Sequence, residues 1–294
     1  MAYDADYTDV VLLLHLNGSN GAATFTDRTG RHTFSAVSSA ALSTAQQRFG
    51  TASLSLDGAS KSITAPDSAD WDFGTADFTL EFSVYVTSYP GAADRSLFYF
   101  ASVLGATGPL SVGLHNGYLY AGPSNISYGA TSATLIPTGS WVDVEVSRAS
   151  GTTKIFMDGV QVASAADTYN YSANDFLWIG GVTGSTSLDG YIDEVRITKG
   201  LARHTSGFTV AGAEFGWAPT ITGVVKDTSL AFAARVCRSY SRSTGEMLDE
   251  TTSDAGDGTF TLDAPGSSGD VYLVVLDEDI GSENALIFDR LTGT

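Results

Sequence analysis

The stretch that decides the fold is Leu188-Asp189-Gly190-Tyr191-Ile192-Asp193-Glu194-Val195-Arg196-Ile197-Thr198-Lys199-Gly200-Leu201-Ala202-Arg203. Asp189-Gly190 is a turn signal. From Tyr191 to Ile197 there is no Gly or Pro, and the β-branched and aromatic residues predict a strand. Strand side chains alternate between faces. Tyr191, Asp193, Val195 and Ile197 then share one face, and Ile192, Glu194 and Arg196 the other. If the Tyr-Val-Ile face is the buried one, the Asp193 carboxylate points toward a core. A buried carboxylate is costly unless it is paired, hydrogen-bonded or bound to a metal.

Working outward, the same kind of element recurs. Val10–Leu16 is apolar on both faces, as a central sandwich strand would be. Ser53–Leu56 alternates and stops at Asp57-Gly58. Phe78–Val86 places Phe78, Leu80, Phe82, Val84 and Val86 on one face, with Thr79, Glu81, Ser83 and Tyr85 opposite, which predicts a half-buried strand. Asn116-Gly117 and Asp158-Gly159 supply the positive φ angles of tight type I′ turns and predict two hairpins. Trp141–Val146 and Phe176–Ile179 are further strands. No helical period stands out before residue 200. Short strands with Gly-rich turns predict an all-β fold of two packed antiparallel sheets.

After Gly200 the periodicity fades, and a domain boundary is placed near Gly216. The first domain is then residues 1–216 and the second, 217–294, a small β-sandwich. Its strands are expected near 221–225, 233–238, 258–262, 271–276 and 285–289, with turns at Ser243-Thr244-Gly245 and 254–258.

Composition narrows the function. Of 294 residues, 43% are hydrophobic, so a packed core is available. A net charge of -18 repels phosphate backbones, which argues against nucleic-acid binding, and leaves carboxylates for hard cations. Cys237 is the sole cysteine, so no intramolecular disulfide forms. The acidic N-terminus is unlike a secretory signal, and Val10–Leu16 is too short to cross a membrane. The expectation is synthesis in a cytoplasm without a membrane anchor, so Asn125-Ile126-Ser127 is not read as a glycosylation site. Coiled-coil heptads are missing, so any homo-oligomer would use folded surfaces.

The first domain resembles the laminin-G-like, concanavalin A-type jelly roll, in the version found in bacteriophage structural proteins. The resemblance is carried in order by Leu13–Gly18, Thr26–Gly30, Ser43–Gln46 with Phe49-Gly50, Leu56–Gly58, Asp77–Phe82, Asp158-Gly159, Gly190–Ile197 and Ala202-Arg203. The second domain resembles a carboxypeptidase-regulatory or transthyretin-like (immunoglobulin-like) β-sandwich through Gly223–Val225, Arg238, Thr244–Glu246, Thr251–Asp254 and Asn284–Arg290. These resemblances imply a virion protein of a tail, fibre or capsid decoration, with other virion proteins as partners and a binding module for host-surface glycan. The alternatives are a carbohydrate-binding module of a bacterial surface protein and, less favoured, a glycan-degrading enzyme.

The residues themselves support no catalysis. Glycoside hydrolysis needs two carboxyls about 5 to 9.5 Å apart across a cleft. The nearest candidates, Asp143 and Glu145, alternate with Val142, Val144 and Val146 and read as the wet side of an ordinary strand. The histidines are scattered, and no Gly-x-Ser-x-Gly occurs. The family resemblance points to a structural Ca²⁺ held by Asp27 and Asp193. The competing expectation is that Asp27 caps its own turn while Asp193 accepts backbone N–H bonds. Sugar contacts, which combine exposed aromatic faces with Asn and Asp on loops, are expected at Asn125 with Tyr128, and at Tyr169, Asn170 and Tyr171.

Overall fold

In a computed structural model the described residues are 4, 6–89, 94–101, 106–172, 175–182, 187–216, 220–226, 231, 234–242, 245, 247–263, 271–276 and 286–291. They form two compact units, Asp9–Phe215 and Gly216–Thr294 together with Met1–Thr8.

The larger unit contains β1 (Val10–Leu14), β2 (Ser35–Val37), β3 (Ala41–Ser43), β4 (Ser53–Asp57), β5 (Ser62–Ala65), β6 (Phe78–Val86), β7 (Arg95–Phe100), β8 (Leu110–His115), β9 (Tyr118–Pro123), β10 (Ala130–Leu135), β11 (Trp141–Ala149), β12 (Thr152–Met157), β13 (Val160–Ala166), β14 (Leu177–Ile179) and β15 (Asp189–Lys199). An eight-stranded sheet runs β13-β12-β11-β6-β15-β4-β3, with β1 paired to β15, and a seven-stranded sheet runs β10-β9-β8-β7-β14-β5-β2. All pairings between these strands are antiparallel, and one continuous apolar cluster joins the two sheets. The expected jelly-roll class therefore holds, and the closing strand lies beside the opening one.

The core face of β6 is as expected, with Phe78, Leu80, Phe82, Val84 and Val86 all in the core, but the strand is not half-buried: Thr79, Glu81 and Ser83 on its other face are buried as well. The two expected hairpins form, with Asn116, Gly117, Asp158 and Gly159 all at positive φ.

The decisive strand departs from simple alternation. Asp193 pairs with Ser83, but the next pair is Arg196 with Glu81, so a bulge opens at Glu194, whose φ is 50°. The bulge resets the side-chain phase. Ile192, Val195 and Ile197 face the core, while Asp193 and Arg196 lie on the outer face with Ser83 and Glu81. The inward assignment of Asp193 is corrected by this one extra residue.

That outer face is nevertheless closed. Residues 200–215 form no regular element but lie across it as a strap. Thr79 donates its hydroxyl to Leu201 O and accepts from Arg203 N. Lys154 reaches Thr205 O, and Phe208 N donates to Gly159 O. The Phe208 ring covers Phe156 at 5.5 Å and stacks on His204 at 3.7 Å. The Arg196 guanidinium sits 4.0 Å over the Phe215 ring. This aperiodic segment is thus packed as part of the larger unit.

The smaller unit contains β16 (Thr220–Val224), β17 (Val236–Ser241), β18 (Met247–Thr252), β19 (Thr259–Asp263), β20 (Val271–Val275) and β21 (Leu286–Leu291). β16 pairs with β19, and β18-β17-β20-β21 form a four-stranded sheet. Ile221, Cys237, Phe260, Leu262 and alternate residues of β20 make its core. The Asp254–Gly258 turn is closed by Gly258 N donating to Asp254 O and Gly256 N to Asp254 Oδ1. Ser243-Thr244, Glu246 and Asn284-Ala285 lie outside the described residues.

Candidate functional site

The site grows from the hairpin β8–β9 on the outer face of the seven-stranded sheet. Leu110, Val112 and Leu114 face the core, which leaves Ser111 and Gly113 outward beside Tyr120 of β9. Gly113 is required there: a Cβ would stand 2.4 Å from Arg95 O and 2.9 Å from the Tyr120 hydroxyl. After β9 the chain turns back on itself. Ile126 N and Ser127 N both donate to Pro123 O at 3.1 Å, and Asn125 takes φ 56°. Gly129 returns against β9, bridging Ala121 and approaching Gly122 so closely that a Cβ on Gly122 would lie 2.7 Å from Gly129 N.

This loop walls a pocket of about 300 Å³ lined by Asp94, Ser111, Tyr120, Ser124, Asn125, Ile126, Ser127 and Tyr128. Tyr128, 42% exposed, packs between His115 (ring centroids 4.5 Å) and Tyr120 (5.0 Å). Its hydroxyl donates to Asp94 Oδ2 at 3.0 Å, and His115 Nδ1 lies 2.5 Å from Asp94 Oδ1. Ser111 Oγ and the Tyr120 hydroxyl are 3.2 Å apart. Burial, offset in part by the Ser111 hydrogen bond, pushes the Tyr120 phenol up to about 12; burial and then the Asp94 hydrogen bond raise that of Tyr128. Both hydroxyls stay protonated at neutral pH. The pocket thus combines an aromatic wall, phenol and serine hydroxyls, an amide and one carboxylate. That chemistry suits a polyhydroxylated ring, which offers C–H faces for stacking and hydroxyls for hydrogen bonding.

Asn125 and Tyr128 are brought together here as expected. Asp94, Ser111 and Tyr120 were missed, because nothing in their local pattern shows that the loop folds back over them. The second expected loop behaves differently. Tyr171 is a correction: it is 1% exposed, packs its ring edge-on to Phe78 and lies 5.0 Å from the Arg148 guanidinium. It offers no face to a ligand. Arg148, itself buried, explains this by donating to Gly74 O, Ala76 O and Tyr169 O, which pulls the loop onto the core. Asn170 is exposed. The Tyr169 ring lies tilted against that of Tyr171 with centroids 5.2 Å apart, and its hydroxyl approaches Gly108, whose N–H donates to Ser124 O. It adjoins the pocket loop without lining the cavity.

Of the expected metal ligands, Asp193 lies within β15 and Asp27 in the segment between β1 and β2, and each carboxylate is held by its own set of donors. Asp27 accepts from Leu13 N, Thr29 N, the Thr29 hydroxyl and His32 N. Asp193, 0% exposed, accepts from Arg48 N at 2.8 Å, Phe49 N at 3.3 Å and Glu194 N at 3.0 Å. Burial pushes its carboxyl up to about 8, against the pull of these donors and with the Glu194 charge adding to the rise.

Two carboxylate–histidine groups were not visible in the sequence. His15, Glu194 and Glu214 form one, and Glu81, Glu145 and His204 the other; in each the ligand atoms lie within 4.8 Å of one another. Their internal bonds are those of clasps. His15 Nδ1 lies 3.0 and 3.1 Å from the Glu194 oxygens, and Glu194 Oε2 accepts from Phe215 N. Glu81 is gripped by the Arg196 fork at 2.6 and 2.7 Å. Glu145 is 1% exposed and takes His204 Nδ1 at 2.6 Å, so the expected wet side of its strand is buried instead. Its neighbour Asp143 is held by Arg48 at 3.1 and 2.7 Å and by the Ser83 hydroxyl at 2.6 Å. Burial raises the carboxyls of both Glu145 and Glu194.

Comparison with known proteins agrees with the architecture. Residues 57–203 match the family Laminin_G_3, the concanavalin A-like lectin/glucanases superfamily. No curated protein sequence matches the chain. Domain 4 of AbnA, a GH43 extracellular arabinanase from Geobacillus stearothermophilus, was solved in complex with arabinotriose. It is 19% identical with a TM-score of 0.51, over 66% of this chain and 93% of that domain. A mutant Trypanosoma rangeli sialidase displaying trans-sialidase activity is 15% identical with a TM-score of 0.51, over 68% of this chain. The chain spans only 32% of that enzyme. The binding domain of Paraclostridial Mosquitocidal Protein 1 is 12% identical with a TM-score of 0.50, over 95% of this chain and 73% of that one. At such identities the likeness concerns the fold alone. With half of its length matched to the family and the two-sheet sandwich described above, this chain belongs to the concanavalin A-like lectin/glucanases superfamily.

Proposed function

We propose that the jelly roll is a carbohydrate-binding module and that the pocket between Asp94 and Tyr128 is its sugar site. The carrying observation is the pocket itself, where the Tyr128 and Tyr120 rings, the Asp94 carboxylate and the Asn125 loop converge on one cavity. The superfamily membership and the arabinotriose complex of the AbnA domain support it by analogy. Binding without turnover is favoured because the carboxyls that the sequence offers as a pair, Asp143 and Glu145, are engaged by Arg48 and His204, with Glu145 closed beneath the strap.

The chain is further proposed to serve in a bacteriophage particle, as a tail, fibre or decoration protein that presents this module to host-surface glycan. The ordered motifs from Leu13–Gly18 to Ala202-Arg203 and the transthyretin-like pattern of the second unit support this setting. A glycan array with the wild-type chain and Tyr128→Ala tests the binding claim. Wild-type binding that is lost in the variant is the expected result. No binding to any glycan, with fixed-copy incorporation into a purified particle, would leave a structural role alone.

A further inference from the structure

We infer that the pocket selects glycans by charge, accepting neutral and amino-bearing sugars and refusing uronic, sialic and sulfated ones. This rests on the pocket being a sugar site. Asp94 is the one carboxylate among the described lining residues, and no Lys or Arg joins it. The neighbouring Arg95 is buried and turned away, donating to Gly58 O. The nearest basic ring, His115, is held at Asp94 Oδ1. Recognition of a carboxylate or sulfate uses an Arg fork or Lys, which these walls lack. An anionic sugar would instead face Asp94 across a few ångströms and be repelled, in a chain whose net charge is already -18. Each Asp94 oxygen carries one partner and has a second lone pair to offer. A hydroxyl can donate to it, and an ammonium donates more strongly, because charge-assisted hydrogen bonds are roughly twice as strong as neutral ones.

The test titrates wild-type protein and Asp94→Asn with oligomers of N-acetylglucosamine, glucosamine and galacturonic acid and with a sialylated oligosaccharide, after an array containing all four classes. Titrations run at low salt and at about 0.5 M salt, where the field of the whole chain is screened. The Asp94 side chain is 45% exposed, so the asparagine variant keeps the fold. The expected result is binding of neutral or amino oligomers, no binding of the anionic ones, and a loss in Asp94→Asn of about 5- to 10-fold in affinity for the amino form, surviving high salt. Anionic oligomers binding as tightly as the others, or an order unchanged in Asp94→Asn, would overturn the charge selection while leaving a sugar site in place. No binding by any class would overturn the sugar site itself, and the selection with it.

Discussion

Asp193 is the most informative position to perturb. Asp193→Ala removes the acceptor for three backbone N–H groups, those of Arg48, Phe49 and Glu194. Arg48 and Phe49 are half-buried, so water can replace much of what their amides lose. Glu194 is not reachable, and an orphaned buried amide costs about 1 to 3 kcal/mol. Glu194 also sits at φ 50°, a conformation costing a non-glycine residue about 1 to 2 kcal/mol, which the Asp193 bond helps to hold. The expected loss at pH 5 is about 2 to 4 kcal/mol, or roughly 4 to 16 °C in Tm for a unit of this size. The pH dependence gives a second check. A carboxyl raised on folding from its ordinary 3.8 to about 8 binds more protons in the folded chain than in the unfolded chain between those values. Its contribution is therefore fully present below pH 4 and is lost as pH rises toward 8. The deficit of the alanine variant should be widest near pH 5 and narrow toward pH 8. Thermal melts by circular dichroism at both pH values, with and without chelator, measure this. An unchanged Tm at pH 5 would mean that Asp193 faces water and that the bulge is wrongly placed.

Other sites give independent tests. Wild-type protein should melt higher at pH 5.5 than at pH 7.5, because burial also raises the Glu145 and Glu194 carboxyls; a rise in Tm with pH over that range would contradict it. Arg148→Met should cost about 3 kcal/mol in urea unfolding by leaving the Gly74, Ala76 and Tyr169 carbonyls without their donor; a loss under 1 kcal/mol would show that water replaces it. Phe208→Ala should cost about 1 to 2 kcal/mol by uncovering Phe156, and a chain cut after Lys199 should fold less stably than one cut after Phe215. Equal stability of the two truncations, by proteolysis or melting, would reduce the strap to a linker.

The strands of the jelly roll were legible because their physics is local. A period of two in Phe78–Val86 reflects one apolar face, and Asn116-Gly117 and Asp158-Gly159 carry the positive φ of their turns in their own residue types. The bulge at Glu194 was not legible, since a glutamate in the left-handed region has no composition signal and one added residue inverts the face assignment that follows. The strap was also hidden. Its clasps, Glu145 with His204 and Glu194 with His15 and Phe215, pair residues far apart in the chain, and its own pattern is aperiodic. In the pocket, Tyr128 and Asn125 stood out as loop residues of the right type. Asp94 joins the site through contacts distant in sequence, with the hydroxyl of Tyr128 and the ring of His115. The burial of Tyr171 was not legible because the residue that holds its loop down, Arg148, lies on β11, far from it in the chain.

The most direct test of the sugar site is amide chemical-shift mapping on labelled protein titrated with whichever neutral oligosaccharide binds best on the array. Shifts should centre on Asp94, Ser111, Tyr120 and Ser124–Tyr128, saturate together, and disappear in Tyr128→Ala. Shifts that instead centre on the outer face of the eight-stranded sheet, or that persist unchanged in the variant, would contradict the assignment of this pocket.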